Sequence, residues 1–122
     1  MSNLEKIIKD NLDKAEGSFH YLLCENQIFD SIKFDSLIRE VYHLNKIQIP
    51  QTKRLEIAVQ LWELGFLIEK LISSHYNPSD LYKISNPDDE QIRKSSNYLY
   101  FICNFFTYNK MIEEADLNIE NW

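Results

Sequence analysis

Turn-forming residues are scarce in this chain, whose 122 residues include two glycines and three prolines. A β-rich fold of this length needs many tight turns, and glycine and proline supply the backbone angles that such turns require. Long helices with few connections are therefore favoured, and the 44% of hydrophobic residues is enough to build a core for them. We predict an all-α fold, a single compact helical bundle of about five helices with a long central helix, in one domain over residues 1–122.

Capping residues and apolar spacing predict the boundaries of the first two helices. A capping box at Ser2 begins the first helix, and Gly17, which tolerates a left-handed backbone, is expected to end it. Ser18 is expected to cap a second helix that runs to about Phe29, although residues 19–23 also fit a strand.

Three further helices are expected to start at Asp35 or Ser36, at Thr52, and at Asn86–Pro87. The helix from Thr52 to about His75 is the longest. Its broad apolar face makes it the central element: Ile57, Ala58, Leu61, Trp62, Leu64, Gly65, Ile68, Leu71 and Ile72.

The rest of the second half divides into a loop, an aromatic segment and an acidic end. Residues 76–86 carry turn signals and are predicted to form the main surface loop. Residues 98–108 are rich in aromatic side chains, which fit a helix or a strand; the strong start signal before them and the lack of a hairpin partner favour a helix. Residues 110–122 are typical of a weaker acidic helix or tail.

The charge balance excludes several classes of partner. Nineteen acidic residues against 13 Lys and Arg give a net charge of −6, so direct binding to nucleic acid or to an anionic membrane is not expected. The longest apolar runs, such as Leu64 to Ile68, are far shorter than the ~20 residues that span a bilayer. The amino terminus is acidic and amphipathic, unlike a secretion signal. We therefore expect a cytoplasmic protein.

The motifs of common enzymes and metal sites are missing or incomplete. Phosphate-binding loops need successive glycines, and the chain has no HExxH, CxxC or GxSxG pattern. His20 and Cys24 have the spacing of half a zinc site, and Glu40 with His43 matches one Glu-x-x-His element of a di-iron site. Neither has its second half, so both are better explained as structural or surface residues. We predict no enzyme activity, no cofactor and no metal.

Two further groups have competing interpretations. Cys24 and Cys103 each lie in an apolar stretch, which favours buried free thiols in a reducing compartment; a disulfide requires their two helices to pack together. The aromatic residues of 98–108 include types that stack on nucleobases, but few cations flank them. A packed core with some Tyr hydroxyls at its rim is the favoured interpretation.

Acidic side chains concentrate at residues 88–90 and 113–120. Helix capping explains the first group and a solvated tail face explains the second. The functional alternative is that they present carboxylates to Lys and Arg of a protein partner, with aromatic residues as anchors. The candidate partner-binding residues are Asp80, Tyr82, Asp88, Asp89, Glu90, Glu113, Glu114 and Asp116.

The overall character of the chain resembles that of small bacterial immunity proteins, including those paired with contact-dependent growth-inhibition toxins. The segments that suggest it are Leu61–Phe66 in the long helix, His75–Asp80 after it, and the helix start at Asn86–Asp89. The resemblance implies a cytosolic protein that blocks a cognate toxin domain. It carries over no functional residues.

These observations lead to two main hypotheses. In the first, the chain is an acidic binding protein that neutralises a cognate bacterial toxin by covering its cationic active site. A nuclease is the expected toxin, and the chain is expected to bind it as a monomer, forming a heterodimer. In the second, it is a helical adaptor or regulatory module that binds a peptide or a copy of itself through an apolar groove. An enzyme or metal protein that uses His20, Cys24, Glu40 or His43 is the third and weakest hypothesis.

Overall fold

The computed structural model of the protein describes residues 3–45 and 47–107. They form α-helices and contain no strand, which confirms the predicted all-α class. The five helices are α1 (Asn3–Leu12), α2 (Phe19–Glu25), α3 (Ser31–Asn45), α4 (Gln51–Tyr76) and α5 (Asp89–Thr107).

Helix α4 is the central element, because α1, α2 and α5 all pack against it, while α3 packs against α1 and α5. Its 26 residues make it about 39 Å long. Most of the predicted apolar face is buried: Ile57, Ala58, Leu61, Leu64, Gly65, Ile68 and Ile72. Of the remaining two predicted residues, Leu71 is partly buried and Trp62 is 39% exposed, whereas Arg54, outside the predicted face, is buried. The Arg54 guanidinium lies 4.4 Å from the centre of the Phe106 ring, and its burial lowers the pKa of Arg54.

Helix α1 ends at Leu12, so the prediction that it extends to Gly17 is wrong. Lys14 explains the early end, because its left-handed backbone closes the last turn and the Ala15 N–H donates to the Asp10 carbonyl at 2.8 Å. The side-chain oxygen of buried Asn11 accepts a hydrogen bond from the His20 backbone N–H at 2.8 Å, and the Asn11 carbonyl accepts one from His20 Nδ1 at 2.8 Å. These two bonds hold the start of α2 against the end of α1. Gly17 has the expected left-handed backbone (φ 87°), but within the connecting turn, where Lys14 is left-handed as well (φ 50°).

The connection between α2 and α3 is also displaced from its predicted place. Ser18 caps α2 as expected, accepting from the Tyr21 N–H at 3.2 Å. The helix stops at Glu25 and not near Phe29, because Gln27 adopts a left-handed backbone (φ 57°) that closes the last turn. Helix α3 begins at Ser31, earlier than Asp35 or Ser36, because Asp30 caps it: the Asp30 carboxylate accepts from the Lys33 N–H at 3.1 Å.

The cap of α4 lies two residues before its predicted position, and the cap of α5 lies two residues after its predicted position. Thr52 is not the cap of α4, which begins at Gln51 directly after Pro50; the Pro50 carbonyl accepts from the Arg54 N–H at 2.9 Å. In α5 the cap is Asp88 and not Asn86, since the Asp88 carboxylate accepts from the Gln91 N–H at 3.1 Å. No described helix combines the length and the apolarity needed to cross a membrane.

Candidate protein-binding surface

The predicted acidic site lies at one end of the bundle, where α4 ends and α5 begins. Residues 77–88 join the two helices, and this loop is tied to the body of the protein at several points. The Ile84 N–H donates to His75 Nδ1 at 2.9 Å, and the Ile84 side chain is buried. The amide group of Asn86 makes two hydrogen bonds with the Phe29 backbone, at 2.9 and 3.1 Å. The loop is therefore a shaped surface and not a loose connection.

Asp80 shapes the first part of this loop. Its carboxylate accepts from the Tyr82 N–H at 2.9 Å, and this bond holds the pKa of Asp80 below its usual range, with a contribution from nearby Lys83. The Lys83 ammonium in turn donates to three carbonyls, those of Asn77, Asp80 and Tyr82. Asp80 therefore supports the turn and displays a half-exposed charge.

Tyr82 is positioned differently from the exposed anchor that its place in a loop suggests. Its ring packs against the core, and its hydroxyl donates to the Leu23 carbonyl. Burial raises the pKa of Tyr82 to about 12. In this structure the residue fastens the loop to α2.

The three consecutive carboxylates Asp88, Asp89 and Glu90 are exposed at the start of α5. Asp88 is the helix cap, and Asp89 accepts a hydrogen bond from the Tyr76 hydroxyl at 2.7 Å. Burial of that hydroxyl and the neighbouring Asp89 carboxylate raise the pKa of Tyr76 to about 12. Tyr76 remains 49% exposed, so an aromatic ring lies beside the three carboxylates. We call Tyr76, Asp80, Asp88, Asp89 and Glu90 the acidic end.

The second predicted acidic group, Glu113, Glu114 and Asp116, lies outside the described residues. The aromatic residue Trp122 lies outside them as well. The structure therefore brings together one of the two predicted acidic groups.

The described residues include those proposed above for a metal site and for a disulfide. Among these, no group of three or more His, Cys, Asp or Glu side chains is arranged to hold a metal ion. Buried His20 is engaged with Asn11. Cys24 and Cys103 are both free thiols: Cys24 accepts from the Lys14 ammonium at 3.8 Å, while Cys103 donates to the Leu61 carbonyl at 3.6 Å.

A second feature, which the sequence interpretation missed, is a groove between α4 and α5. The two helices are antiparallel, since Tyr76 meets Asp89 at one end and the Trp62 indole N–H donates to the Thr107 hydroxyl at 2.6 Å at the other. The groove between them has a volume of about 420 Å³. Its lining is mainly apolar and aromatic: Trp62, Gly65, Phe66, Glu69, Ser96, Asn97, Leu99, Tyr100 and Cys103. We call it the aromatic groove.

The walls of the aromatic groove are large exposed side chains. Phe66 is 65% exposed and Tyr100 is 59% exposed, and the rings of Trp62 and Tyr100 meet edge to face at 6.0 Å. Leu55 and Val59, also exposed, extend the apolar surface along α4. The spacing of four, three and four residues from Leu55 to Phe66 was the available signal: it marks a second apolar stripe beside the buried one.

Comparison with known proteins adds no relative. No protein-family profile, curated protein or solved structure matches this chain.

A larger cleft, of about 500 Å³, lies between α1, the turn after it and α3. Two of its polar side chains already make intramolecular contacts. Asp10 forms an ion pair with Lys6 at 2.8 Å, and the Asn11 side chain forms hydrogen bonds with the backbone of Ile7 and His20. The acidic end and the aromatic groove, which share α4 and α5, are the better candidates for a binding surface.

Proposed function

We propose that this protein is an acidic binding protein that neutralises a cognate bacterial toxin by covering its cationic active site. The proposed toxin is a nuclease. Nucleases gather Lys and Arg to attract phosphates, and an acidic protein surface is attracted by the same field. The net charge of −6 and the helical character of the chain agree with this function.

The observation that carries the proposal is the acidic end. Asp88, Asp89 and Glu90 are exposed beside the ring of Tyr76, on a loop that Asn86 and His75 hold in place. A surface that is already shaped loses little conformational entropy on binding, so its charges can act fully in the complex. Carboxylates around an aromatic anchor match a basic surface with an apolar centre.

The test reverses charge at the acidic end while keeping the cap of α5. The double variant Asp89→Lys, Glu90→Lys leaves Asp88 in place; the matched control is Asp10→Lys near the end of α1 with Asp13→Lys just after it, which changes the net charge equally. Association with the protein encoded next to this one is measured by stopped flow at two salt concentrations. We expect association at least tenfold slower for the first variant, with a weaker salt dependence, and a change within about threefold for the control.

Equal rates for both variants would remove the acidic end from the interface. Reversal of Glu113, Glu114 and Asp116 to Lys then tests the second acidic group. Unchanged binding in all variants contradicts the electrostatic mechanism, and failure of the neighbouring protein to bind at all contradicts the proposed function.

The aromatic groove favours a second candidate function, that of an adaptor or regulatory module that binds a peptide or a copy of itself. Exposed apolar patches of this kind commonly mark protein interaction sites. Light scattering over a range of concentrations separates the two functions: a stable homodimer that Phe66→Ala dissociates supports the second, and a strict monomer supports the first.

A further inference from the structure

Helix α4 carries a row of exposed apolar side chains beside its buried face. Leu55 is 48% exposed and Val59 is 66% exposed, and Trp62 continues the row one turn later. The spacing of four and three residues places all three on one side of the helix. Single exposed apolar residues are common on protein surfaces, whereas neighbouring ones form a patch, and such patches mark contact sites. We call Leu55, Val59 and Trp62 the outer stripe.

Helix α5 ends at Thr107, beside the outer stripe. The Trp62 indole N–H donates to the Thr107 hydroxyl at 2.6 Å, and the Arg54 guanidinium lies over the Phe106 ring at 4.4 Å. The chain therefore continues from a point within reach of the stripe. A segment joined to the bundle at this point has a far higher effective concentration at the stripe than a free partner of the same sequence.

The sequence of residues 108–122 contains an apolar row of its own. Its members recur at intervals of three, four and three residues: Ile112, Ala115, Ile119 and Trp122. This spacing predicts an amphipathic helix. The acidic residues of the segment fall outside the row: Glu113, Glu114, Asp116 and Glu120. The segment therefore has one side suited to burial and another suited to solvent.

A straight continuation of α5 would not bury this row. The buried side of α5 is marked by four residues: Ile92, Leu99, Cys103 and Phe106. The same helical repeat continues to Lys110 and Glu113, and charged side chains are rarely buried. With about 3.6 residues per turn, the apolar row of residues 112–122 falls on the opposite side of such a helix. The row reaches the bundle only if the chain turns after Thr107, and Asn109 belongs to the residue types that end helices in a left-handed backbone.

We propose that residues 112–122 form a further helix that packs on the outer stripe, antiparallel to α4. In this direction the intervals agree along both rows, three residues and then four. The packing pairs Ile112 with Trp62, Ala115 with Val59 and Ile119 with Leu55. Residues 108–111 form the turn, since four residues span up to ~13 Å, enough to pass from the end of α5 to the next face of α4. The inference does not depend on the proposed function.

Amide hydrogen exchange of the full chain, read residue by residue by NMR, tests the docking. A helix of this length is marginal in water without tertiary contacts, so strong protection of its amides reports packing. We expect the amides of residues 116–121 to exchange at least tenfold more slowly than in an unstructured peptide of the same sequence. We also expect a nuclear Overhauser contact between the methyl groups of Val59 and Ala115, independent of protein concentration.

Two pairs of variants locate the contact. Val59→Asp places a charge in the outer stripe, and its control is Ile32→Asp, at an exposed β-branched residue of α3. Ile119→Ser removes an apolar side chain from the row, and its control is Leu117→Ser, which the helical repeat places on the opposite side. We expect Val59→Asp and Ile119→Ser to speed the exchange of residues 116–121 at least fivefold, and each control to change it less than twofold.

Three results would overturn the inference. The first is exchange of residues 116–121 at the rate of the unstructured peptide. The second is slowed exchange that Val59→Asp and Ile32→Asp change alike. The third is protection that rises with protein concentration, with Overhauser contacts between labelled and unlabelled chains, which would assign the outer stripe to a second copy. Because Val59 is exposed, Val59→Asp should preserve the fold, and Ile119→Ser repeats the test without altering any described helix.

Discussion

Phe19, Phe29 and Phe34, on and between α2 and α3, are almost fully buried, and their ring centres lie 5.1 to 5.8 Å apart. Along α4 and α5, by contrast, Phe66 and Tyr100 stand mostly in solvent. The first arrangement gains the full free energy of burying aromatic surface, whereas the second leaves most of that gain unused. Aromatic side chains therefore serve the stability of the fold in one region and remain exposed in the other.

The largest expected effect is a loss of stability that distinguishes the buried aromatic cluster of α2 and α3 from the exposed aromatic residues of α4 and α5. Phe34→Ala should lower the free energy of unfolding by about 3–5 kcal/mol, because it leaves a cavity among packed rings. Phe66→Ala should lower it by less than about 1 kcal/mol, because the side chain is mostly exposed already. Urea denaturation of both variants measures the difference. A comparable loss for Phe66→Ala would mean that this ring supports the fold, and the contrast would disappear.

The second prediction concerns the link between the two regions. Asn86 joins the loop before α5 to the Phe29 backbone through both atoms of its amide group. Asn86→Ala should cost about 1–3 kcal/mol, since a donor and an acceptor of Phe29 lose their partner. The matched control is Asn97→Ala on the exposed side of α5, which should change stability by no more than about 0.5 kcal/mol. Similar values for both variants would show that the loop is not held by this residue.

Asn86 also shows why the fold class was predictable and the boundaries were not. The scarcity of glycine and the helical spacing of Ile57, Leu61, Leu64 and Ile68 are local properties of the chain, and they correctly indicate helices and the buried face of α4. Asn86 has the sequence context of a helix cap, but a distant backbone at Phe29 takes its amide. Tertiary contacts of this kind cannot be inferred from neighbouring residues.

The residues of the candidate site were likewise predictable from the sequence only in part. Asp88, Asp89 and Glu90 were predictable because consecutive carboxylates at a helix start are exposed by nature. The aromatic groove was not, because Trp62 lies at the edge of the apolar face of α4, and only the placement of α5 decides which side of that edge is covered. Tyr82 shows the reverse error: a tyrosine in a surface loop turned out to face the core.

The third prediction uses pH to probe how Tyr82 fastens the acidic end. Burial raises the pKa of Tyr82 to about 12, above the value near 10 of an exposed tyrosine. Its contribution to stability is therefore complete below pH 10 and is lost as the pH rises from about 10 to 12. Tyr82→Phe should lose about 0.5–1.5 kcal/mol at pH 7, with the bond to the Leu23 carbonyl, and should depend less on pH in that range.

Denaturation curves of Tyr82→Phe and the unmodified protein at several pH values measure this effect. Burial also raises the pKa values of Tyr76 and Cys103 to about 12, so the difference between the two proteins, and not either curve alone, reports on Tyr82. Tyr100→Phe, at an exposed ring, serves as the control and should follow the unmodified protein. A Tyr82→Phe curve parallel to the unmodified one would contradict the buried position of the hydroxyl.

The smallest expected effect is an increase in the free energy of unfolding, and it tests whether the packing of α4 against α5 requires a glycine at position 65. Gly65→Ala should raise the free energy of unfolding by up to about 1 kcal/mol, because alanine favours the helix and its Cβ would meet Leu99 and Cys103 at ordinary contact distances. Gly17→Ala makes the same chemical change at a left-handed residue (φ 87°) and should lower stability instead. Thermal unfolding of the two variants gives the comparison. A loss of stability in Gly65→Ala would mean that the packing of α5 against α4 needs the glycine; a gain would show that this packing tolerates a Cβ at the position.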